Sequence, residues 1–248
     1  MPKTRIYQNS KYTLNEKIML SDDAYGHIIR VLRLREGDSI FLFNGNDPYQ
    51  YKAKIIEVKK KSASVEIIEK EHVCNESPLN IHLGQGISRG DRMDFTLQKS
   101  VELGVTKITP IFTDRCSVKL SGERLAKKHE QWQKIVISAC EQSGRCIVPE
   151  VDSPICLQDW LNQENSGLKL NLNPKAKHSI MTLPIDNVNS HPTIQLLIGP
   201  EGGLTDEEIS QANKSNFQDI LLGPRVLRTE TAALTAIAAL QCRFGDLA

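Results

Sequence analysis

Over its first 72 residues this 248-residue chain alternates apolar and polar positions in short runs, the period-two signature of half-buried strands. Segments 38–43 and 49–56 flank Asn44-Gly45-Asn46-Asp47-Pro48, a turn cluster that opens with the Asn-Gly hairpin signal. A further strand is expected at 64–68, after the basic turn Lys59-Lys60-Lys61-Ser62. Strands this short at this spacing predict a small barrel. One helix interrupts them. Ser21 suits its N-cap, Ile28, Val31 and Leu32 can face the core behind it, and Arg30 and Arg33 are three apart on the surface.

Past the polar linker His72-Val73-Cys74-Asn75-Glu76-Ser77-Pro78 the pattern changes, so a boundary is expected there, with a barrel domain at 1–72 and a larger domain at 73–248. Strands are predicted at 80–84, 108–112, 148–151, 168–172, 194–198 and 220–222. Helices are predicted at 91–103, at 123–143 and at 231–240, the first two stopped by Gly104 and Gly144. The helix at 123–143 carries Leu125, Trp132, Ile135, Ala139 and Cys140 on one stripe. Thr205-Asp206-Glu207-Glu208 is a capping box that opens another helix. Strands alternating with helices predict an α/β fold with a mainly parallel sheet.

Composition narrows the class without fixing it. Hydrophobic and charged fractions of 40% and 25% are those of an ordinary soluble globular protein. No apolar run approaches the ~18–20 residues needed to cross a bilayer. The N-terminus lacks the apolar core of a signal peptide, so the chain reads as cytoplasmic with no membrane partner. The six cysteines form no C-x-x-C pair and no ligand spacing with the histidines; no metal site or disulfide framework is expected, and they read as small buried hydrophobes. The net charge of +1 conceals an asymmetry: residues 1–150 hold 24 Lys/Arg against 19 Asp/Glu, a net of +5, and residues 151–248 hold 7 against 11, a net of −4. A front half that meets a polyanion fits this split, and so does ordinary scatter of surface charge.

Two glycine loops carry the candidate chemistry. Gly199-Pro200-Glu201-Gly202-Gly203 and Gly223-Pro224-Arg225-Val226-Leu227-Arg228-Thr229-Glu230-Thr231 each follow an apolar strand and lead into a helix. Loops at the carboxyl ends of α/β strands form the usual ligand crevice, where bare glycine backbone approaches a ligand closely. Neither loop is G-x-G-x-x-G or ends in Gly-Lys-Ser/Thr, which argues against a nucleotide pyrophosphate. Glu201 agrees: a carboxylate repels phosphate but suits a cation or ribose hydroxyls, as S-adenosylmethionine offers. Either loop alone is also explained as a tight strand-to-helix connection.

The segments Ile198-Gly199-Pro200-Glu201-Gly202-Gly203, Leu222-Gly223-Pro224-Arg225-Val226-Leu227-Arg228-Thr229-Glu230-Thr231-Ala232 and Gln98-Lys99-Ser100-Val101-Glu102-Leu103-Gly104-Val105 closely resemble the RsmE family of SPOUT methyltransferases, and the likeness extends over essentially the whole chain. The resemblance implies a SPOUT-type α/β knot holding the cofactor, a PUA-like N-terminal β-barrel, a homodimer with its active site at the subunit interface, and S-adenosylmethionine-dependent methylation of uridine N3 in 16S ribosomal RNA. Carried over by position, the cofactor is expected against Leu172, Asn173 and Pro174, against Ile198, Gly199, Pro200, Glu201, Gly202 and Gly203, and against Leu222, Gly223, Val226, Leu227 and Arg228. Leu222 and Leu227 are expected to pack on the adenine.

Uridine N3 lies on the Watson–Crick edge and bears a weakly acidic proton, so its methylation requires an unpaired, splayed base and removal of that proton. Arg228 is the first candidate, to stabilise charge spreading onto the uracil oxygens. Glu201 and Glu230 are the nearest carboxylates, but Glu230 equally suits the dipole of a helix first turn and Glu201 could simply bind its own loop. Candidates for contact with small-subunit ribosomal RNA, free or in the 30S subunit, are Arg5, Arg30 and Arg33 from the barrel and Arg89, Arg92, Lys99 and Arg115 from the larger domain.

Overall fold

The computed structural model of the chain describes residues 4–163, 167–183 and 193–247. It divides into two compact units: residues 1–76 with 140–148, and residues 77–139 with 149–248.

In the first unit, β1 (Arg5–Tyr7), β3 (Ser39–Phe43), β4 (Tyr49–Val58), β5 (Ala63–His72) and β2 (Lys17–Met19) lie side by side in that order, antiparallel except for the β1–β3 pair. Strand β5 shows why: Ala63, Val65 and Ile67 point inward and Ser64 and Glu66 outward, so Ile40, Leu42, Ala53, Ile55, Val65 and Ile67 share one core. Asn44 makes the β3–β4 turn, its side-chain oxygen accepting from the Asn46 and Asp47 N–H groups.

Ser21 caps α1 (Asp22–Tyr25) as expected, accepting from the Ala24 N–H, but the helix continues at Gly26–Val31 with π geometry. Arg33 then turns to φ 57°, so it stands beyond the helix and three-residue spacing no longer makes it Arg30's neighbour on one face. Segment 140–148, which the sequence pattern assigns to the larger domain, belongs to the first unit. Its Arg145 is buried and holds Glu76 by two bonds of 2.9 and 2.7 Å, and the Val148 N–H donates to the Gly45 carbonyl.

The second unit is an all-parallel sheet ordered β11 (His178–Ser179), β13 (Gln218–Leu221), β10 (Leu168–Leu172), β12 (Thr193–Ile198), β6 (Asn80–Gly86), β7 (Lys107–Phe112) and β8 (Glu150–Val151), with β9 (Ile155–Cys156) also on β7. The helices are α2 (Gly90–Glu102), α3 (Gly122–Ser143), α4 (Leu157–Leu161), α5 (Asp206–Lys214) and α6 (Thr229–Phe244). Strand β12 is buried over its last five residues, as expected of a central strand covered on both faces. The predicted capping box starts α5, with Thr205 and Glu208 bonded reciprocally. Glycine at 84 lets Trp160 of α4 lie on the sheet: a Cβ there would sit 2.6 Å from its ring.

All six cysteines are free. Cys140 and Cys146 are buried, but Cys74, Cys156 and Cys242 are exposed, so burial does not describe the set. No described helix is long and apolar enough to cross a membrane.

Candidate functional site

Strands β10, β12 and β13 end side by side, and the loops that leave them close around one cavity of about 570 Å³. Leu172, Asn173 and Pro174 line it from the first loop. Ile198, Gly199, Pro200, Glu201, Gly202 and Gly203 line it from the second, and Leu222, Gly223, Val226, Leu227 and Arg228 from the third. All fourteen residues expected to hold a cofactor thus border the same space. Arg92 and Arg115, expected at RNA, border it too, with Lys175, Asp206 and Arg225, which sequence reading did not single out.

Each loop is held by neighbouring groups. The first depends on Asp219, which accepts from Asn171 at 2.8 Å and Asn173 at 2.9 Å, while Asn173 accepts the Lys175 N–H. The second is pinned from both sides. Glu201 accepts from the Arg89 N–H at 2.9 Å and from Arg92 at 3.4 Å, and the Arg115 guanidinium donates to the carbonyls of Gly202 and Leu204. Gly203 turns at φ 67°. The third ends at Arg228, the N-cap of α6, in extended conformation. A Cβ at Gly203 or Gly223 would meet nothing within 4 Å, so bare, open backbone faces the site at both positions.

The polar candidates separate by what they touch. Glu201 binds its own loop to the start of α2, the alternative its position allowed. Glu230 is half-buried in the first turn of α6, outside the cavity lining, and its Oε2 is buried without a partner. Arg228 is exposed, and its side chain makes no hydrogen bond or ion pair among the described residues. Arg5 is drawn inward: it donates to the Arg145 carbonyl at 3.0 Å and to Gln50, with its guanidinium 5.0 Å from the Phe43 ring centroid, so it braces the first unit rather than presenting a free cation. Lys99 pairs with Glu102 at 2.7 Å. Arg89 caps α2 with no side-chain cap bond and donates to Ser117, and Arg30 stacks 5.5 Å above Tyr25. Arg33 is exposed. No cluster of His, Cys, Asp and Glu that could hold a metal occurs among the described residues.

A parallel sheet whose glycine loops gather at one end, following a small antiparallel β unit, is the arrangement implied by the resemblance to RNA methyltransferases of the SPOUT α/β-knot class with a PUA-like N-terminal domain. Residues 75–241 match the model of the RNA methyltransferase domain family, and residues 20–68 that of the RNA methyltransferase PUA domain. The chain is 40% identical over 245 residues, 98% of its length and 94% of the relative's, to ribosomal RNA small subunit methyltransferase E of Buchnera aphidicola. It also superposes with TM-score 0.94 and 45% identity, over all of both chains, on a Legionella pneumophila methyltransferase crystallised with S-adenosylmethionine. Ribosomal RNA small subunit methyltransferase E of Neisseria gonorrhoeae, bound to S-adenosylmethionine, gives TM-score 0.91 and 42% identity over 99% of this chain and 100% of that one. The chain belongs to the ribosomal RNA small subunit methyltransferase E family.

Proposed function

We propose that this chain methylates 16S ribosomal RNA with S-adenosylmethionine as donor, at N3 of a uridine, and that it works as a homodimer. The observation that carries this reading is the convergence of three strand-end loops, two of them with bare glycine backbone, on one cavity. The residues present suit such a donor. Leu222 and Leu227 offer an apolar wall, and open main chain at Gly203 and Gly223 suits hydrogen bonding to an adenine and ribose. Glu201 and Asp206 give the lining two carboxylates compatible with a cation, beside the basic Arg92, Arg115, Lys175, Arg225 and Arg228.

S-adenosylmethionine, when bound, supplies an activated methyl group on a sulfonium. The chain's own residues supply position and charge. Arg228, an unpaired cation at the cavity edge, faces the oxygens of an unpaired uracil and stabilises the charge they gain as the N3 proton leaves. Neither carboxylate is assigned that proton: Glu201 borders the cavity but is occupied by Arg89 and Arg92, and Glu230 has an Oε2 without a partner but lies outside the lining. Arg30 and Arg33 in the PUA-like unit and, separately, Arg89 and Arg92 near the cavity are the candidates for RNA contact; Arg5 is left out because its guanidinium donates to Gln50 and to the Arg145 carbonyl.

The test is transfer of labelled methyl to 16S RNA and to 30S subunits in parallel, followed by mass spectrometry of the nucleosides. The expected product is 3-methyluridine. A methylated ribose or another base nitrogen would assign a different reaction to the same fold, and donor binding without any transfer would leave an RNA-binding factor.

A further inference from the structure

Gln85 lies near the end of β6 and is fully buried. Gly84 and Gly86 face Trp160 and Pro200, so strand alternation turns Gln85 to the opposite side of the sheet. There its Nε2 donates to the Gly86 carbonyl and to the Thr229 hydroxyl, each at 3.0 Å, and that hydroxyl donates to the Gly199 carbonyl at 2.6 Å. Both ends of the chain are carbonyls, which only accept. The direction of every hydrogen is therefore determined: the amide gives both of its own, and the threonine must turn its single proton toward Gly199.

These contacts join the two glycine loops. Gly199 opens the loop after β12, and Thr229 is the first residue of α6, directly behind Arg228. Gln85 is also left with a buried Oε1 that has no partner, a cost an apolar side chain of similar size would not carry. An amide kept at that cost is kept for its two donors. We propose that Gln85 is a positioning residue for the methyl donor, using the Thr229 hydroxyl to latch the loop after β12 to the start of α6 and so hold opposite walls of the cavity in register. The inference rests on the reading of that cavity as the donor site.

Four variants test it: Gln85→Met, which keeps the bulk and removes the donors; Thr229→Val, which keeps the shape and removes the hydroxyl; their double; and Thr229→Ser, which restores the hydroxyl. S-adenosylmethionine affinity is measured by calorimetry, with thermal unfolding and amide exchange of residues 199–204 measured alongside. Each of the first two is expected to weaken donor binding roughly tenfold and raise loop exchange in a protein that still unfolds cooperatively. The double is expected to be no worse than the poorer single, because both break one chain, and Thr229→Ser to bind like the parent. Parental affinity in folded Thr229→Val, or losses that multiply in the double, overturn the latch. If Gln85→Met does not fold, the comparison of Val with Ser at 229 decides. A parent protein that binds no S-adenosylmethionine refutes the donor-site reading instead; loop exchange then judges the latch, supported if it rises in Thr229→Val and overturned if it does not.

Discussion

Replacing Gly86 with alanine should damage the cavity from behind, at a residue that does not itself line it. A Cβ at this position would lie 2.5 Å from the Pro200 nitrogen, 2.7 Å from its Cδ and 2.8 Å from the Gly199 carbonyl carbon. Ordinary contact begins near 3.4 Å, so about 1 Å must be found, and no flexible side-chain tip can yield it. Strand β6 cannot give way, since it is paired on both sides, Gln85 with Ile198 and Gly86 with Ile111. The loop after β12 must move instead. Overpacking of this kind typically costs ~1–3 kcal/mol of stability. The displaced loop supplies one wall of the cavity, so donor affinity should fall tenfold or more. Gly84→Ala is the matched control: its Cβ would strike the Trp160 ring at 2.6 Å, a comparable clash directed at α4 rather than at the loop. Urea unfolding and calorimetry with S-adenosylmethionine on both variants separate the effects. Stability should drop in both, and donor affinity mainly in Gly86→Ala. Parental affinity in Gly86→Ala, or equal affinity losses in the two, would falsify the claim that Gly86 exists to admit the loop.

Three further outcomes follow from the same geometry. Arg228→Ala should lower kcat by ~10²–10³ while donor affinity stays within a few-fold, and a parental kcat would remove Arg228 from the mechanism. Arg33→Ala should reduce the slope of log affinity for 16S RNA against log salt by about one, the signature of one lost phosphate contact; an unchanged slope removes that contact. His82 is buried against Trp160, and its pKa is lowered from 6.5 to about 4, by burial first, with Lys107 adding and Asp152 opposing. The unfolded chain therefore takes up a proton the folded one refuses, so this contribution to stability is complete above pH 6.5, is lost as pH falls from there, and levels off below about 4, for roughly 3 kcal/mol in all. His82→Gln should flatten unfolding free energy against pH across that window, and parallel curves for the two proteins would refute the assignment.

What could be read from the chain alone was whatever its local order encodes. The strands ending in glycine loops, the Thr205–Glu208 cap and the Gly104 and Gly144 stops each depend on neighbours within a few residues, and the structure has them all. Short strands such as β1, β2 and β11 carry too few residues to show a period. The π turn after Tyr25 and the left-handed Arg33 leave no signature in residue type. The inclusion of 140–148 in the first unit depends on Arg145 meeting Glu76, 69 residues away in sequence, and no periodicity anticipates that.

The same distinction explains why the donor site was easier to locate than the RNA face. Contact through backbone demands glycine at particular turns of a continuous loop, so the requirement is written contiguously and survives as a motif. Recognition of RNA uses side-chain charge, and in sequence an arginine that faces solvent is indistinguishable from one that braces its own protein. Arg115 holds the carbonyls of Gly202 and Leu204, Arg5 holds that of Arg145, and Arg33 makes no bond to the described residues. Only their partners tell them apart. A basic residue should therefore be weighed for RNA binding by the donors it leaves unused, which ranks Arg33 and Arg30 ahead of Arg5 and Lys99 although all four look alike in the chain.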